Sequence, residues 1–180
     1  MKATITSTAH HVPEKILTNH DIEKMVQTSD EWIQNRTGIK QRHIVSEGEA
    51  SSDLSTHVAN KLLVTRGIDA SEIDVIIVGT VTPDHLTPST AAIVQNNINA
   101  VNAWAFDLSA ACSGFLFGLE TGSKLIESGD YSKVMVIGVD TMTSILDFDD
   151  RETCVIFGDG AGGVIPVSYT HLTLPTNREV

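Results

Sequence analysis

Three short apolar runs, residues 74–80 (DVIIVGT), 103–108 (AWAFDL) and 133–139 (KVMVIGV), alternate along the chain with segments whose apolar residues recur at helical spacing. Each run is strand-length and largely apolar throughout, the pattern of a strand covered on both faces rather than half-exposed to water. The intervening segments are residues 51–66, with Leu54, Val58, Leu62 and Leu63 at helical spacing and Gly67 as a stop, then residues 89–98 and 113–128. Strands joined by helical crossovers predict a layered α/β fold with a mainly parallel central sheet. Residues 141–153 read as a loop rich in Asp and Thr.

A chain of 180 residues with 41% hydrophobic content can bury a substantial core and reads as one domain. Its apolar runs are far too short to span a membrane. The start, MKATITSTAHHVPEK, lacks the charged-then-apolar order of a secretion signal, so a cytoplasmic location is expected. The formal charge of −11 argues against nucleic acid or an anionic membrane as partner. One basic cluster, Arg36, Lys40 and Arg42, could meet a phosphate-bearing ligand. The two cysteines, Cys112 and Cys154, are read as free thiols, and no pair of histidines has nearby Cys or carboxylate at metal-ligand spacing, so no metal is expected.

Cys112 stands out by its surroundings. In residues 104–117, WAFDLSAACSGFLF, a strand-like run meets the cysteine at a turn of small residues and passes at once into a helical pattern. At such an elbow the unpaired amides and positive dipole end of the following helix favour a thiolate, and the Cys112 amide is placed to donate to an oxyanion. An arbitrary lone cysteine reads as a small core residue; the flanking residues overturn that reading.

They do so because DLSAACSGF resembles the nucleophile motif of the β-ketoacyl-acyl carrier protein synthase III family, in the thiolase-like condensing-enzyme superfamily. Three further segments resemble family motifs in the same order: residues 28–43 (TSDEWIQNRTGIKQRH), 78–89 (VGTVTPDHLTPS) and 150–163 (DRETCVIFGDGAGG). The resemblance implies a thiolase-like layered fold, of which residues 1–166 form an N-terminal half-domain, one half of a duplicated architecture. From about Val167 onward, VSYTHLTLPTNREV departs from the family pattern, lacks the periodicity to complete a strand or helix, and resembles a translated adapter. Residues 167–180 are therefore expected to be a non-native tail.

The same resemblance implies an acyltransferase that condenses an acyl-coenzyme A primer with malonyl-acyl carrier protein to start fatty-acid synthesis, through an acyl-Cys112 intermediate. Coenzyme A thioester is then a substrate, and no permanently bound cofactor is implied. Trp32 and Arg151 match the pair that sandwiches the adenine ring, while Thr28 and Arg36 match positions that contact the nucleotide end. By residue type alone, Trp32 would be a helix core residue and Arg151 an ordinary loop charge. Thr87 stands where many members carry a bulky Phe that closes the acyl pocket across a homodimer interface. The catalytic His and Asn of the family lie in a C-terminal half, and no residue of this sequence matches their motifs. Two alternatives stay open: a catalytically inert fragment, and a related acyltransferase that starts polyketide synthesis. The glycines of GDGAGG, residues 158–163, are read as allowing close backbone approach near the active site rather than as a nucleotide loop.

Overall fold

The computed structural model describes residues 2–169. In chain order the elements are β1 (Lys2–His11), β2 (Ile16–Thr18), α1 (Asn19–Ile22), α2 (Asp30–Thr37), β3 (Gln41–His43), α3 (Ser51–Arg66), β4 (Val75–Gly79), α4 (Thr90–Asn97), β5 (Trp104–Leu108), α5 (Gly114–Ser128), β6 (Val134–Thr141), α6 (Arg151–Cys154) and β7 (Asp159–Tyr169). Five strands form one sheet in the order β1-β7-β6-β4-β5, and β2 and β3 form a separate antiparallel hairpin. β4 pairs in parallel with β5 and β6, while β7 is antiparallel to both β6 and β1. Four of the five strands therefore run one way, as the alternation of apolar runs and helices predicts.

Every residue of β4 is buried, and its side chains serve two cores in turn. Ile76 and Val78 join Met135, Ile137 and Ile165 under Leu54, Val58 and Leu62 of α3 and Val94 of α4. Val75 and Ile77 face the opposite way with Val134, Val136 and Ile126, where α5 packs. This period-2 division is why the runs read as continuously apolar. Helix α4 is held to the sheet from β5: the Asp107 carboxylate accepts from the Thr90 and Ala91 amides at 2.8 and 2.7 Å, an acid placed at a helix N-terminus.

Close backbone contact brings α5 against the sheet. A Cβ on Gly79 would lie 2.7 Å from the Gly114 carbonyl carbon and 3.0 Å from the Phe115 amide nitrogen, both backbone atoms that cannot rotate away. Gly79→Ala is expected to cost about 1–3 kcal/mol or more and to lower the thermal midpoint by several degrees. Gly160→Ala, whose added carbon meets nothing nearer than 3.4 Å, serves as the control in a circular dichroism melt. Equal midpoints for the two variants would overturn the expectation.

Two features depart from the sequence reading. Residues 141–153 are only partly loop, because they include a 3-10 turn at Met142–Ser144 and the first turn of α6. The strand pattern does not stop at Val167: Val167, Ser168 and Tyr169 pair with Thr4, Ala3 and Lys2 at the end of β7. That stretch is set by pairing with β1, which supplies a ladder that local periodicity does not reveal. The rest of the segment read as a tail, residues 170–180, lies outside the described residues.

Candidate active site

Cys112 occupies a 3-10 turn, Ala111–Ser113, between the end of β5 and the start of α5. Ala111 has φ +47°, a left-handed conformation costly for a residue with a Cβ, and it immediately precedes the cysteine. The turn thus stores strain where the thiol is presented. No side chain caps α5 at Ser113; the Ser113 and Gly114 amides instead donate to the Ala110 and Ala111 carbonyls of the preceding turn. The thiol is exposed, whereas Cys154 is buried, and neither forms a disulfide.

Cys112 opens into a cleft of about 460 Å³ lined also by Gly79, Phe115, Gly138 and Asp140, with Gly158, Gly160, Gly162 and Gly163 of the GDGAGG segment. Gly79, Cys112, Gly138 and Asp140 lie toward or just past the carboxyl ends of the parallel strands β4, β5 and β6, where open α/β sheets place their sites, and the GDGAGG glycines come from the start of the antiparallel β7. The glycines make one wall out of backbone. Asp140 is the carboxylate of the cleft; it accepts from the Val81 amide at 2.8 Å and from the Thr80 and Thr82 hydroxyls, each at 3.2 Å. The sequence reading passed over it, although its place as the first charged residue after the apolar run of β6 marks a strand end. None of the described histidines lines the cleft.

A second cluster lies on the small core formed by Leu17, Ile22, Ile33, Ile44, Cys154 and Val155. Helix α2 starts at a Ser29 cap, whose hydroxyl accepts from the Trp32 amide at 3.1 Å, and ends at Gly38 with φ +75°. Ile33 turns into the core, so its neighbour Trp32 stays 36% exposed. Over the Trp32 ring sits the Arg151 guanidinium, 4.3 Å from the centroid, with Arg36 at 5.6 Å. Arg151 begins α6, where Asp150 caps the helix by accepting from the Glu152 amide. The Thr28 hydroxyl oxygen is buried without a hydrogen-bond partner. Three residues matched to a nucleotide site are therefore together in space, and Thr28 carries an unused polar atom. Arg151 rests directly on Trp32, so a flat ring entering between them must lift the guanidinium by about one ring thickness, ~3.4 Å.

The basic cluster read from sequence is divided by the fold. Arg36 and Lys40 are exposed, but Arg42 is only 4% exposed and bonds inward, to the Asn19 side chain and the Val155 carbonyl. In β3 alternate residues face opposite ways, and Arg42 faces the small core. Thr87 lies on an exposed loop and is not among the residues lining the Cys112 cleft.

A sheet between helical layers, with a cysteine on the elbow after an edge strand, is one half of a thiolase-like condensing-enzyme fold. Residues 106–170 match the family model of 3-oxoacyl-[acyl-carrier-protein (ACP)] synthase III. The β-ketoacyl-[acyl-carrier-protein] synthase III of Chlorobaculum tepidum is 60% identical over 166 residues, covering 92% of this chain and 50% of that protein. The crystal structure of 3-oxoacyl-[acyl-carrier-protein] synthase III from Aquifex aeolicus superimposes with a TM-score of 0.91 at 43% identity, covering 94% of this chain and 55% of the other. The priming β-ketosynthase of the R1128 polyketide pathway gives 0.90 at 31% identity, covering 93% and 50%. The chain is thus similar along most of its length to β-ketoacyl-acyl carrier protein synthase III proteins, and it spans about half the length of the curated relatives it matches.

Proposed function

We propose that this chain carries the acyl-accepting half of a β-ketoacyl-acyl carrier protein synthase III, with an acyl-coenzyme A as primer and malonyl-acyl carrier protein as the second substrate. The observation that carries the reading is the exposed Cys112 thiol on a strained elbow at the mouth of a glycine-walled cleft. The Cys112 sulfur attacks the thioester carbonyl, and the Cys112 amide at the elbow steadies the oxyanion. The bond from the acyl carbon to the coenzyme A sulfur breaks as the bond to Cys112 Sγ forms, and the cysteine proton ends on the departing thiol. The acyl group then waits for the carbanion that loss of carbon dioxide creates from the malonyl thioester.

In this reading Trp32, Arg36, Arg151 and Thr28 hold the nucleotide end of coenzyme A, Arg151 lifting to admit the adenine ring. Thr87, exposed on its loop, contributes to the acyl pocket of a second subunit in a cytoplasmic homodimer. No helix among the described residues is long and apolar enough to cross a membrane. The absence of a histidine from the described cleft favours a second reading, in which this half alone stops at the acyl-enzyme or stays inert.

Incubation with acetyl-coenzyme A and intact-mass analysis separates these outcomes. One acetyl group on Cys112 is expected, with acylation at subsaturating thioester slowed about tenfold by Trp32→Ala, the size of a lost stacking contact. An acetyl group elsewhere, or none, would reject the proposal.

A further inference from the structure

We infer that Arg42 and Asn19 are positioning residues for the Trp32–Arg151 pair, a buried polar relay that fixes the spacing of the two segments carrying it. This rests on the reading of that pair as a coenzyme A site. The two aromatic and cationic halves come from short helices, eight residues of α2 and four of α6, and a single turn such as α6 cannot hold its own orientation.

The relay supplies what the helices lack. Arg42 donates to the Val155 carbonyl, at the exit of α6, and to the Asn19 side-chain oxygen. Asn19, 1% exposed, donates its amide nitrogen to the Asp30 carboxylate at 2.8 Å and to the Ile39 carbonyl at 2.8 Å. Asp30 is the first residue of α2, and Ile39 follows its Gly38 cap, so one amide grips both ends of the helix that presents Trp32. Gln34 occupies the other Asp30 oxygen at 2.7 Å. The Asn19 hydrogen bond, followed by that of Gln34, holds the Asp30 carboxyl below its usual range.

Packing alone does not account for Arg42. The small core it enters is apolar, no carboxylate among the described residues meets its guanidinium directly, and its Nε has no hydrogen-bond partner. A buried cation held this way is poor value for stability compared with an apolar side chain of similar volume. What it does is join segments. Its stem also packs on the Cys112 cleft: a Cβ on Gly158, a cleft-lining residue, would meet Arg42 Cβ at 3.0 Å. Arg42 thus stands between the Trp32 pair and the cleft wall and sets the one relative to the other.

The test uses the 180-residue chain with Trp104→Phe, which leaves Trp32 as the single tryptophan. Asn19→Asp keeps an acceptor for Arg42 but turns a like charge on Asp30, so it breaks the link to α2 while the Arg42 end stays paired. Without ligand, acrylamide should quench Trp32 more strongly in Asn19→Asp, approaching Arg151→Ala, while the thermal midpoint stays within a few degrees of the parent. With coenzyme A as titrant, Asn19→Asp should weaken binding about tenfold, and Arg42→Lys, able to meet one acceptor instead of two, should fall between. The inference is overturned if Asn19→Asp matches the parent in quenching and affinity. It is also overturned if both change only together with a fall in midpoint as large as that of the core control Leu17→Ala. If Trp32→Ala and Arg151→Ala bind coenzyme A like the parent, the coenzyme A reading fails instead, and the ligand-free quenching still decides the relay.

Discussion

Iodoacetamide supplied in limiting amount to the folded chain alkylates Cys112 and leaves Cys154 intact. The thiolate is the reacting species, so both access and protonation state set the rate. Cys112 is exposed at the elbow, with the uncapped start of α5 beside it. Cys154 is 1% exposed in the small core, and its thiol is pushed up by burial first and by the Asp150 carboxylate next, with Arg42 opposing them. Selectivity of at least about 100-fold is expected, read by peptide mass spectrometry, and Cys112→Ser should remove the fast phase entirely. Carboxamidomethyl groups appearing first on Cys154 would contradict both the placement of the elbow and the role of Cys112.

With malonyl-acyl carrier protein added to the acylated chain, no β-ketoacyl product is expected above a rate on the order of 1,000-fold below that of a complete enzyme of the family. Accepting an acyl group needs a nucleophile and an oxyanion donor, both of which one elbow can provide. Condensation needs more: groups that stabilise the enolate as carbon dioxide leaves. In the described cleft the titratable side chains are Cys112 and Asp140, and a carboxylate repels an enolate rather than stabilising it. Catalytic groups that act as a unit lose nearly all their effect when one is removed. The two half-reactions should therefore come apart, with at most one acyl group taken up per chain and no turnover. Sustained product formation by the purified chain would show that the cleft holds a catalytic group in a place the described residues do not reveal.

Much of this was legible in the sequence because it is local. The apolar period within residues 51–66, closed by Gly67, gives α3 its observed bounds, and the runs at residues 74–80, 103–108 and 133–139 became β4, β5 and β6 within a residue or two. The elbow at Cys112 follows from a strand pattern meeting a helix pattern across small residues. Strand β7 was hidden because its first half is nearly all glycine and alanine, which carry no β signal, and its register comes from β1 at the other end of the chain. Motif resemblance pointed to Trp32 and Arg151 separately, but their 4.3 Å contact arises because α2, through Ile33, and α6, through Cys154, share one small core. The same tertiary packing took Arg42 out of a surface cluster and turned its charge inward. Whether a charged residue in a three-residue strand faces water or core depends on what the chain places against it, and here that was Asn19 and Val155. Local pattern thus determined most of the elements and the elbow that carries Cys112, whereas long-range packing decided which charges stay at the surface and which turn inward, because side-chain burial is a property of the assembled layers.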